Sequence, residues 1–103
     1  MRFILKVSIP VEAGNAAIRD GSLGAKIQSI LEGTKPEAVY FAADNGMRGG
    51  FVVVNMDDMS QMPALAEPWF LAFNASVEIL PVMTPEDMER GGPGIENAVK
   101  KYG

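Results

Sequence analysis

Ala38-Val39-Tyr40-Phe41-Ala42-Ala43, then Asp44-Asn45-Gly46-Met47-Arg48-Gly49-Gly50, then Phe51-Val52-Val53-Val54-Asn55-Met56 reads as a β-hairpin, two apolar runs joined by a polar, glycine-rich turn. Successive side chains of a strand point to opposite faces, so Val39 and Phe41 share one face while Tyr40 and Ala42 share the other; Val53 likewise opposes Val52 and Val54. Both faces of the hairpin are apolar. Helices elsewhere in the chain supply cover for one of them, and the other calls for a partner.

Length and composition set the outer limits. A chain of 103 residues, 48% hydrophobic and 21% charged, is expected to form a single domain over 1–103 around one core, with a core segment at 1–83 and a helical tail at 84–103. The net charge of -4 argues against a nucleic-acid module, which needs a basic stripe to neutralise phosphates. No apolar run approaches membrane-spanning length, and a predicted strand beginning at Arg2 leaves no room for a signal peptide. With no cysteine there is no disulfide framework, thiolate nucleophile or sulfur-bound metal, and a cytoplasmic location is expected.

Arg2–Ile9 alternates cleanly, with Phe3, Leu5, Val7 and Ile9 on one face and Arg2, Ile4, Lys6 and Ser8 on the other, and Pro10 ends this first strand. From Glu12 the period changes. Ala16, Leu23, Ile27, Ile30 and Leu31 fall on one stripe, which predicts a helix running to Leu31 and closed by Gly33, weakened by Gly14, Gly21 and Gly24. After the hairpin, Asp58 or Ser60 can cap a second helix that has Pro63 in its first turn, buries Met62, Leu65, Trp69, Ala72 and Phe73, is kinked at Pro68 and ends at Asn74. Ser76–Met83 is a fourth strand, placed on a sheet edge by Pro81. Thr84-Pro85-Glu86-Asp87 opens a short helix to Arg90. Past Gly91-Gly92-Pro93-Gly94, a last helix carries Ile95, Ala98, Val99 and Tyr102 on one side.

The order strand, helix, strand, strand, helix, strand, with right-handed crossovers, most simply gives a ferredoxin-like α+β sheet with strands one and three central and both helices on one face. The uncovered face would carry Ile4, Tyr40 and Leu80 or their opposite-parity neighbours, too much apolar area for a lone domain, and stacking two such sheets about 10 Å apart would cover it.

Over nearly its full length the chain resembles the dimeric α+β barrel superfamily, small bacterial proteins that include antibiotic-biosynthesis monooxygenase-like and muconolactone isomerase-like members. Lys35-Pro36-Glu37-Ala38-Val39-Tyr40-Phe41, the Asn45-Gly46 to Arg48-Gly49-Gly50 turn and Glu67-Pro68-Trp69-Phe70 are similar to a branch of it with no assigned activity. The resemblance implies a homodimer and leaves the activity open, since the superfamily hosts oxygenases, isomerases, dechlorinases and haem-degrading proteins. Relatives that use a histidine for haem or for acid/base work have no counterpart in a chain without one, so no cofactor is expected.

Candidate pocket residues are therefore Lys6, Tyr40, Asn55, Glu78, Arg48 and Trp69. Lys6 and Glu78 break apolar patterns on strands expected to be adjacent; they could grip a polar substrate, and a cross-strand ion pair is the simpler reading. Tyr40 and Asn55 could donate and orient in the same cavity, or serve as a core tyrosine and a strand-end hydrogen bonder. Arg48 could clamp an anion, or be a solvated loop arginine. Trp69, with Phe73, could form the aromatic wall of a cleft between helix and sheet, or simply fill the core. Two functions survive: a protein that binds a small apolar or aromatic metabolite without transforming it, and a cofactor-free monooxygenase or isomerase acting on a small aromatic or enolisable compound.

Overall fold

Four strands form one antiparallel sheet in the order β2-β3-β1-β4, with β1 spanning Arg2–Ser8, β2 Ala38–Asp44, β3 Met47–Asn55 and β4 Ser76–Pro81. The computed structural model describes all of residues 1–103. β1 sits between β3 and β4, pairing Leu5 with Val52 on one side and with Ile79 on the other. Its alternation reads directly in burial, since Phe3, Leu5 and Val7 are buried while Arg2, Ile4, Lys6 and Ser8 are half-exposed. The same parity runs through β3, whose Val52 and Val54 are buried. These residues meet Ala17, Trp69, Phe73 and Ala75 from the helical layer in a single core. Each fully buried aliphatic or aromatic side chain there stabilises the fold by roughly 1.5–3 kcal/mol. Pro81 lies on the edge strand, where its missing N–H breaks no interior ladder.

The helices are α1 (Val11–Arg19), α2 (Leu23–Thr34), α3 (Met62–Phe73), α4 (Pro85–Arg90) and α5 (Gly92–Tyr102). Sheet order and helix placement define a ferredoxin-like α+β fold.

The sequence expectations for the first helix and for the hairpin turn are corrected. The single first helix is two, because the chain turns at Asp20-Gly21-Ser22: Gly21 takes a φ of 79°, and the Asp20 carboxylate accepts the Ser22 N–H at 2.8 Å. The hairpin turn is shorter than its composition suggested. Asn45 and Gly46, at φ of 53° and 75°, form a complete two-residue reversal, so Met47–Gly50 join the ladder opposite Phe41–Asp44.

The second helical segment starts at a single 3₁₀ turn, Met59–Gln61, capped by Asp58, which accepts the Ser60 N–H at 2.8 Å. α3 continues through Pro68 to a left-handed Asn74 at φ 52°. Thr84 caps α4 by accepting the Asp87 N–H at 3.2 Å. Only Gly91 separates α4 from α5, where a longer glycine-proline break was expected.

Candidate functional site

The face of β1 and β3 that carries the core is not fully roofed. α2 lies over the sheet with Leu23, Ile27 and Leu31 turned inward, yet none of its residues is buried, and Phe41 on edge strand β2 is 64% exposed. Between α2 and the β2–β3 ribbon the gap opens into a cavity of about 910 Å³, within the range of small-molecule sites. Val7, Ile9, Phe41 and Ala43 supply its sheet wall, and buried Trp69 from α3 closes its inner end.

Glycine shapes that wall. A methyl group at Gly50 would lie 2.7 Å from the Tyr40 carbonyl oxygen and 3.4 Å from the Phe41 ring, so the strand's approach to β2 requires a bare Cα there. Polar groups are few: Gln28 and Glu32, one turn apart on α2 and 3.4 Å from each other, and Arg48 on β3. Arg48 shares the parity of Val52 and Val54, so it reaches over the helix-covered side, lies against Gly14 and donates from Nη1 to Asn15 Oδ1 at 3.0 Å. Trp69 stacks obliquely on Phe73, centroids 6.2 Å apart, and its indole N–H is enclosed with no acceptor in the chain.

Of the six residues singled out from sequence, the structure brings Arg48 and Trp69 to this cavity. Arg48 is a strand residue rather than a loop residue. Lys6, Tyr40, Glu78 and Asn55 follow the other parity and lie on the open face of the sheet. Lys6 and Glu78 are indeed registered opposite each other, but the Lys6 ammonium pairs with Asp44 at 2.9 Å. Side-chain-free Gly49, between them in the ribbon, leaves that diagonal path across the sheet open. The Asp44 hydrogen bond and charge hold the Lys6 pKa above its ordinary 10.5.

Tyr40 is 67% exposed. Asn55 sits at the far end of β3, where its amide donates to Glu37, which also accepts from Arg2 Nε at 2.9 Å; the Arg2 hydrogen bond is the main cause of a lowered Glu37 pKa. Sequence reasoning missed the α2 residues as a cavity wall. Their helical stripe marks them as inward-facing, and no local signal shows that the stripe stops short of β2.

No three or more acidic side chains gather to hold a metal ion, and no helix is long and apolar enough to cross a membrane.

The fold and its cavity place the chain among ferredoxin-like α+β proteins. A solved structure of this class, 5-chloro-2-hydroxyhydroquinone dehydrochlorinase (TftG) from Burkholderia phenoliruptrix AC1100 in complex with 2,5-dihydroxybenzoquinone, is similar at a TM-score of 0.59 and 16% identity. The match covers 84% of this chain and 97% of that one. By sequence the chain belongs to the DUF3303 family, a domain of unknown function, whose pattern matches residues 1–93. No functionally curated protein matches it in sequence.

Proposed function

We propose that this protein is a homodimer that binds a small apolar or aromatic metabolite in the cavity between α2 and the β2–β3 ribbon. The cavity carries the reading: its volume suits a one- or two-ring compound, its walls are aliphatic and aromatic, and its few polar groups can orient a ligand without solvating it. The Arg48 guanidinium on the cavity wall suits a ring bearing an acceptor oxygen. TftG, of the same fold, was solved with a small oxygenated ring compound, which favours this ligand class.

The homodimer is proposed from the open sheet face. Tyr40 and Leu80 are 67% and 46% exposed there, beside half-exposed Ile4, Phe51 and Val53, an apolar surface suited to a second sheet. A bacterial, cytoplasmic setting completes the reading.

Trp69 is the only tryptophan of the chain, so its emission reports the cavity directly. Titration with hydroquinone and 4-hydroxybenzoate is expected to quench it saturably, and Ala43→Phe, which fills the cavity from an exposed strand position, to abolish the saturation. A strictly linear, collisional response in the wild-type protein would overturn the ligand reading.

The alternative is a cofactor-free monooxygenase or isomerase using the same cavity, favoured by the fact that TftG is an enzyme. It would leave acid/base work to Glu32, assisted by Gln28 and Arg48. Product formation from a bound phenol, lost in Glu32→Gln with binding retained, would select it.

A further inference from the structure

We infer that the C-terminal arm formed by α4 and α5 docks its apolar stripe on the body of a second copy of the chain, so that two protomers exchange arms. The inference rests on the homodimer reading for its occupant and adds a second contact to it.

The arm stands away from its own body. The chain measures 59 × 28 × 20 Å with a radius of gyration of 17.2 Å, against about 13 Å for a compact domain of this length. No residue of α5 is buried. Yet α5 is amphipathic: Ile95, Val99 and Tyr102, at spacings of four and three, line one side and are 54%, 61% and 81% exposed, while Glu96 and Lys100 lie off that stripe. An isolated helix of this length is marginal in water, so its stripe is expected to pack against something.

Area selects a second copy. Four strands about 4.8 Å apart and about 23 Å long offer a footprint of roughly 450 Å² per protomer, or about 900 Å² for two stacked faces. A stable interface takes about 1,600 Å². Two reciprocal helical stripes, each about 16 Å long and about 10 Å wide and covered on both sides, bring the total close to that figure. The exchange is self-complementary, as a two-fold dimer requires.

The test compares the wild-type chain with Val99→Glu by sedimentation equilibrium, and photo-crosslinks Tyr102→p-benzoylphenylalanine in mixed dimers of isotope-labelled and unlabelled chains. The expected results are a dimer constant weakened about tenfold or more by Val99→Glu, with circular dichroism and Trp69 emission unchanged, and crosslinks joining labelled to unlabelled chains. A wild-type dimer whose constant Val99→Glu leaves untouched, or crosslinks confined within one chain, would overturn arm exchange while the dimer stands. A monomeric wild-type chain would overturn both, leaving the cavity reading to its own fluorescence test.

Discussion

Arg48 lies across Gly14 of α1: a methyl carbon built on Gly14 would meet the guanidinium Nη1 at 2.9 Å and Cδ at 3.4 Å. The contact ties the β3 end of the cavity to the helical layer, and the missing side chain at Gly14 lets the guanidinium reach Asn15. Gly14→Ala therefore sets two effects against each other. Alanine favours the helix interior by about 1 kcal/mol, and the clash falls on the movable end of a long side chain. The expected outcome in denaturant unfolding is a gain of up to about 1 kcal/mol, with weaker phenol binding because Arg48 is displaced.

Gly49 faces the opposite situation. A Cβ there would collide with the Val7 carbonyl oxygen, a backbone atom held in the β1–β3 ladder. The strands must separate to admit it. Gly49→Ala is expected to destabilise the chain by about 1–3 kcal/mol, as overpacking does elsewhere. A melting temperature equal to that of the wild type would contradict the close strand approach.

On the open face, Val53 sits in a row with Ile4 of β1 and Ala38 of β2. A carboxylate at its centre would have to be desolvated on sheet stacking. Val53→Asp, or Phe51→Asp beside Lys6, is expected to give a monomer or an unfolded chain. A stable, dimeric variant in sedimentation would sink the stacked-sheet reading.

Stability should fall at both ends of the pH scale and stay level between them. Asp20, Glu37, Asp58 and Asp87 are each held below their ordinary values. The cause is the hydrogen bond from Ser22, Arg2, Ser60 and Thr84 respectively. In acid the unfolded chain binds more protons, so these contributions are full above about pH 4.5 and drain as the pH falls through the lowered folded values. Lys6 acts in reverse: its pKa is raised, so its contribution is full below 10.5 and is lost as the pH rises through the folded value. No histidine titrates between these limits. Lys6→Met is expected to lower the neutral-pH melting temperature by a few degrees at most, as for a half-exposed ion pair, and to remove the alkaline loss. Thermal melts of both proteins from pH 3 to pH 11 check this.

The sequence by itself determined the order of the four strands, the strand parities and the central place of β1 and β3, but not the division of the first helix at Asp20-Gly21-Ser22. Those are local facts: a period of two in Phe3-Leu5-Val7, a period near 3.6 in Met62-Leu65-Trp69, and a reversal at Asn45-Gly46 that permits few other pairings. It also marked Pro81 as an edge residue, Asp58 or Ser60 as one cap and Thr84 as another, since a missing donor or a capping oxygen acts on its near neighbours. What only the tertiary structure decided was which charges meet and where space remains. The partner of Lys6 is Asp44 rather than registered Glu78, because a long side chain can cross bare Gly49. The cavity lies where α2, packed against α3, leaves part of the β2–β3 ribbon uncovered, a relation between elements far apart in the chain. Arg48 and Trp69 come together there from separate elements, while Lys6, Tyr40, Asn55 and Glu78 fall on the other face, since strand parity sorts side chains before chemistry can use them.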